Sequence, residues 1–106
     1  MTLSRLIELL KQADLSHTCK RGFKNPHSYR GYYECLAFEP ANDVPVHEML
    51  TYAEEALGST YVGYKGGDYL MHGDVQIHIA FYGQTDQKHY DAEGLTEQEL
   101  LDMLKD

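Results

Sequence analysis

Apolar side chains at Leu3, Leu6, Ile7 and Leu10 recur every three or four positions, which predicts an amphipathic helix capped by Thr2 and fading near Asp14. From His17 to Phe23 the pattern turns extended, with Gly22 as a bulge or strand end. Asn25-Pro26-His27-Ser28 reads as a turn, because proline fixes φ and drives the residue before it towards extended geometry. Gly31 then releases the chain into Tyr32–Phe38, where both alternating faces carry apolar groups, the pattern of a central strand. Glu39–Val44, with Pro40 and Asn42, reads as a loop.

A second helix is expected from about Pro45, with Val46, Met49, Leu50, Ala53 and Leu57 on one face and Gly58 ending it. Ser59–Tyr64 and Asp68–Met71 read as two strands joined by the glycine-rich turn Lys65-Gly66-Gly67. After Gly73-Asp74, Val75–Tyr82 is the clearest strand of the chain. Gln84–Gly94 is polar. Thr96 and Glu99 then form a capping box, and Leu95 with Leu100 a hydrophobic staple, opening a short helix to about Lys105. Its Leu100, Met103 and Leu104 have an apolar face to bury against this domain or a second subunit.

The order α, β, β, α, β, β, β, α predicts an α+β fold: an antiparallel or mixed sheet of about five strands, two helices packed on it, and a short C-terminal helix. Residues 1–83 form the expected core domain, and 84–106 a polar linker with the last helix.

Charge sharpens this picture. The 106-residue chain carries a net −8, yet residues 15–33 hold Lys20, Arg21, Lys24 and Arg30 with no acid. An acidic protein with one cationic island repels bulk nucleic acid, since duplex binding needs several phosphate contacts over one face. A small anion is a better match to the island. No apolar stretch approaches a membrane span, and Met1 opens onto a helix rather than a signal peptide, so a cytoplasmic protein without a membrane partner is expected. Cys19 and Cys35 match no metal spacing and read as reduced thiols, a disulfide between neighbouring strands staying open.

The island is also rich in aromatics. Arg21 and Arg30 offer bidentate contacts to carboxylate or phosphate, and Lys20 adds point charge. Tyr29 and Tyr32 offer faces for a planar group, and Asn25 and His27 offer polar contacts in the turn between. Tyr64 and Lys65 repeat the theme on the later hairpin, which is expected to face the first. A nucleotide needs a planar slot and a phosphate clamp together, and these nine residues supply both types of group. The competing reading is structural: tyrosines alternate on strand faces without function, and Gly-Gly is most often only a turn.

The six histidines select no metal or catalytic set, although His72, Asp74 and His78 could approach one another on the last hairpin. His78, between Ile77 and Ile79, reads as an ordinary strand residue, and His27 beside Ser28 is no nucleophilic dyad because neighbours on an extended chain point apart. A two-histidine enzyme using His17 or His27 with Lys20 stays open but is not selected. No catalytic residue, metal or cofactor is expected.

The blocks Arg21-Gly-Phe-x-Asn-Pro-His-Ser-Tyr-Arg-Gly-Tyr-Tyr33, Leu36-Ala-Phe-Glu-Pro40, Glu48-Met-Leu50 and Gly63-Tyr-Lys-Gly-Gly-Asp-Tyr69-x-Met71 resemble, in this order, a family of small uncharacterised tailed-phage proteins. The resemblance covers roughly residues 1–83 and departs at Pro45, where the family carries Thr. It implies expression inside an infected bacterium and supplies no catalytic residues. Together with the cationic island it leads to the expectation of a binding protein that sequesters an immune signalling nucleotide. The alternatives are an inhibitor that binds a host defence protein such as a CRISPR nuclease, and third a small nucleotide-processing enzyme. A homo-oligomer is compatible with each.

Overall fold

The computed structural model describes residues 1–63, 65–84 and 94–106. Helix α1 spans Leu3–Gln12, strand β1 Thr18–Tyr29, β2 Tyr32–Pro45, helix α2 Val46–Ala56, β3 Thr60–Val62, β4 Asp68–Leu70, β5 Ile77–Ile79 and helix α3 Glu97–Lys105. This is the expected α+β order.

The helices form where spacing and caps place them. The Thr2 side chain accepts from the Arg5 N–H, and Leu3, Leu6, Ile7 and Leu10 are buried. In α3 the Thr96 hydroxyl accepts from the Glu99 N–H while the Glu99 carboxylate accepts from the Thr96 N–H, so both halves of the capping box are made. Pro45 stands at the N-cap of α2, where no amide hydrogen is needed, and the helix buries Val46, Met49, Ala53 and Ala56. Leu57, expected on that face, is exposed because the helix ends before it, and Gly58 turns the chain at φ 84°.

The strands depart from expectation in three ways. First, they form two sheets rather than one: a three-stranded sheet in the order β1-β2-β5, and a separate hairpin of β3 and β4. β1 and β2 are antiparallel, and β5 joins β2 in parallel. The β3–β4 strands pair only with each other, so β2 receives its second neighbour from farther along the chain. Second, Asn25-Pro26-His27-Ser28 is not a turn. β1 runs through it with a register shift between Lys24 and Pro26, Asn25 at φ 49°, and the Asn25 amide donating to the Glu39 carboxylate at 3.1 Å. Proline lacks the ladder hydrogen and asparagine tolerates the left-handed region, and together they make a bulge. The reversal comes at Arg30-Gly31, where Gly31 has φ 94°. Third, Glu39–Val44 belongs to β2, whereas the expected strand Val75–Tyr82 shrinks to the three residues that pair with Leu36, Ala37 and Phe38.

β2 is central, and Cys35 to Phe38 are buried on both faces. The larger core joins Phe23, Leu36, Phe38 and Ile77 to the apolar faces of α1 and α2, with Leu95 and Leu100 from the C-terminal segment. Phe23 and Phe38 meet at 4.5 Å between ring centres. Leu95 is held by backbone bonds: its N–H donates to the Ile77 carbonyl and its carbonyl accepts from the Met1 ammonium. The smaller core comprises Tyr29, Cys35, Ala37 and Ala80, with Tyr32 against it. Both cysteines are buried and free. Among the described residues no helix is long and apolar enough to cross a membrane.

Candidate functional site

The cationic island lies on β1, and an extended strand separates residues by about 3.3 Å each. Arg21 and Arg30 therefore stand roughly 25–30 Å apart in a molecule whose longest extent is 37 Å. One phosphate group cannot touch both. Of the nine candidate residues, Lys20 and Arg21 stand near the start of β1, Asn25 at its mid-strand bulge, His27, Tyr29, Arg30 and Tyr32 towards the hairpin tip, and Lys65 on the β3–β4 hairpin.

At the start of β1, Lys20 and Arg21 are exposed. The Lys20 N–H reaches towards the Asp106 carbonyl at 3.5 Å, and Arg21 lines a cleft against α3. Asn25 is spent on the bulge. These positions are remote from the tip.

At the tip the structure gathers Tyr29, Arg30 and Tyr32 with His27. Tyr29 is buried, and its ring lies 3.8 Å from that of His78 and within 5° of parallel to it. The Tyr32 ring is also within 5° of the Tyr29 plane, with centres 6.3 Å apart, and is half-buried. Arg30 is exposed and donates from Nη1 to the Gly83 carbonyl at 2.7 Å. His27, although in the same segment, is buried with Nε2 2.9 Å from the Ala80 carbonyl and Nδ1 3.1 Å from the Ser28 carbonyl. Tyr82 meets its ring edge-on at 5.5 Å. His27 and Arg30 thus tie the hairpin to the chain just after β5, and His27 is a structural tie rather than an accessible ligand group.

The second hairpin is brought to the first. Tyr33 of β2 packs on Tyr69 of β4 at 5.5 Å between centres, and a Cβ on Gly63 would fall 3.0 Å from the Tyr69 ring and 3.2 Å from that of Tyr33. Glycine at 63 is what lets both rings close over the backbone. Beyond this contact the Gly63 and Gly66 turn bonds, each under 3 Å, present the exposed Lys65. Tyr64 lies outside the described residues.

Sequence reasoning picks out Tyr33 as a further stacking face and Tyr69 in the second hairpin, but it missed that the two pack on each other and that Tyr82 and His78 support the tip. Their partners are far along the chain, and no local pattern marks them. Burial raises the Cys35 thiol above its usual range, with Glu34 adding to the effect, so it is a protonated, apolar neighbour of this aromatic group. Among the described residues no three His, Cys, Asp or Glu side chains are gathered to hold a metal.

No family model, no curated protein and no solved structure matches the chain.

Proposed function

We propose that the protein is a small binding protein that sequesters a planar, anionic, nucleotide-like ligand at the tip of the β1–β2 hairpin. The observation that supports this reading is the half-buried Tyr32 lying parallel to the buried Tyr29–His78 stack, with the exposed Arg30 next to both tyrosines in the hairpin turn. A cation at the margin of a fixed aromatic platform meets the two needs of a nucleotide, charge and a flat face. Binding is favoured over turnover at the tip because His27, the histidine nearest to it on β1, has both ring nitrogens within hydrogen-bond distance of backbone carbonyls, while His17 lies at the other end of β1. The resemblance to tailed-phage proteins supports a ligand drawn from bacterial immune signalling and a role in countering host defence. Calorimetric titration with cyclic oligonucleotides and cyclic ADP-ribose isomers tests it. Binding of one class is expected, and absence of binding by all of them at tens of micromolar removes the reading.

The outer face of the β3–β4 hairpin favours a second reading. Val62 and Leu70 are 57% and 59% exposed there and share a face, because Val62 pairs with Asp68 and Thr60 with Leu70. Two such apolar groups in an acidic surface suit docking on a host protein, which an inhibitor requires. A stable stoichiometric complex recovered from infected cells, lost in Val62→Lys, favours inhibition over sequestration.

A further inference from the structure

The three-stranded sheet has two outer strands, and the chain treats them differently. On the β5 side the molecule closes its own edge. The Ile77 N–H donates to the Met1 carbonyl, the Ile77 carbonyl accepts from the Leu95 N–H, and Thr2 bridges to Gln76. On the other side β1 runs for twelve residues, with β2 as its one partner strand among the described residues. Every second residue of an outer strand turns its N–H and C=O outward, which makes a template for another strand. β3 and β4 are only three residues long, so β1 is the edge on which a second copy of this chain can add.

The side chains along that edge oppose such pairing. Lys20, Arg21 and Lys24 are exposed, and residues 15–33 contain no acid. Two copies joined by antiparallel β1 strands bring cations face to face. With the pairing centred on Gly22, Lys20 of each copy stands opposite Lys24 of the other. Centred on Arg21, Lys20 or Lys24, the pairing sets that residue against its own twin. Like charges directly opposite destabilise a strand pair. Glu39, which stands opposite Lys24 on β2, accepts from the Asn25 amide, and no ion pair among the described residues joins it to Lys24. Beyond Lys24 the bulge at Asn25 and the missing N–H of Pro26 interrupt the edge before it reaches the tip.

We infer that the cationic row and the bulge of β1 keep a second copy of this chain from adding to the open edge of the sheet. The charges of Lys20 and Lys24 then act on self-association, a role separate from any ligand held at the hairpin tip. Where copies of the chain do assemble, they meet through a surface other than β1.

Light scattering on size-exclusion fractions, with amide exchange read by NMR, tests this. A Lys20→Thr, Lys24→Thr double variant should at least double in mass at about 0.1 mM, a concentration at which the wild type keeps its own mass. Exchange within Thr18–Lys24 should slow as that species forms. A Lys11→Thr, Lys105→Thr double variant loses the same charge away from β1 and should keep the wild-type mass. In about 1 M NaCl, where the Debye length falls to about 3 Å, the wild type should begin to pair through the same amides. A folded β1 variant that keeps the wild-type mass up to about 1 mM overturns the inference. So does a wild type whose Thr18–Lys24 amides are already protected at low salt and lose that protection on dilution. If the β1 variant does not fold, the salt series on the wild type decides, and unchanged exchange within Thr18–Lys24 overturns the inference there.

Discussion

The Nε2 atom of His27 lies 2.9 Å from the carbonyl oxygen of Ala80, fifty-three residues along the chain, and its Nδ1 atom lies 3.1 Å from the Ser28 carbonyl. Carbonyl oxygens only accept, so the ring satisfies both contacts when it carries both hydrogens, and either neutral tautomer donates to one. This side chain spans the hairpin tip and the segment after β5. Replacing it by Phe keeps a ring of similar shape and leaves the Ala80 carbonyl without that donor. His27→Phe is expected to lower unfolding free energy by about 1–3 kcal/mol in urea titrations. A change within experimental error would show that the tie is dispensable.

Arg30 and Tyr32, not Arg21, should govern nucleotide binding. Arg30→Ala is expected to weaken the best ligand of the cyclic-nucleotide panel by about 10–100-fold, the usual loss of a charged hydrogen bond. Arg21→Gln, roughly 25 Å or more away along the strand, should leave that affinity unchanged. An equal loss in both variants would indicate long-range attraction by the whole cationic strand rather than a site at the tip.

Two glycines fail for different reasons when replaced by alanine. A Cβ on Gly22 would stand 2.8 Å from the Val44 Cβ and 3.1 Å from the Met49 sulfur, inside the packed core. Overpacking of this kind costs about 1–3 kcal/mol. Gly31 has open space around it but φ 94°, a region costly for any side chain, and its loss should cost about 1 kcal/mol through strain at the hairpin turn. Chemical denaturation of both variants, with the ligand titration of Gly31→Ala alongside, separates a packing defect from a misplaced tip.

Alkaline pH should destabilise the fold. Burial raises the thiols of Cys19 and Cys35, with Asp106 and Glu34 respectively adding to it, and burial also raises the Tyr61 hydroxyl. The folded state therefore holds these protons more tightly than the unfolded state. Their stabilisation is complete below the unfolded thiol value of about 8.5 and is lost as pH rises through the folded values. Urea midpoints should be level with respect to these groups from about pH 7 to 8 and fall above about pH 9. A Cys19→Ala, Cys35→Ala double variant should fall less steeply, and an unchanged slope would remove the thiols as the cause.

Thr96→Ala removes the hydroxyl half of the capping box on α3, with an expected cost of about 0.5–2 kcal/mol. Since Leu95 and Leu100 lie in the main core, the loss should appear in global unfolding as well as in amide exchange of α3. Exchange that quickens in α3 alone would mean that the helix opens as a separate unit.

Legibility followed distance along the chain. The Thr2 cap, the face Leu3, Leu6, Ile7 and Leu10, the Thr96–Glu99 box and the Gly66-Gly67 turn are settled within four residues, and all were readable. The site was readable in part. Alternation located the aromatic residues but could not tell that Arg21 and Arg30 fall at opposite ends of one strand, because Asn25-Pro26 resembles a turn until β2 is seen to pair past it. Nor does any local pattern connect Tyr33 with Tyr69.

By itself, then, the sequence determined helices, caps, the order of eight elements and the cationic, aromatic character of residues 17–33. Each of these depends on side-chain spacing and on groups a few residues apart, where backbone geometry leaves little choice. Tertiary structure decided that β5 rather than β3 or β4 joins β2, that the chain reverses at Gly31, and that His27 and Arg30 are tied to the Ala80 and Gly83 carbonyls. Those choices rest on which buried surfaces and backbone groups find complementary partners tens of residues away. That is a property of the whole packed chain, to which local spacing contributes no information.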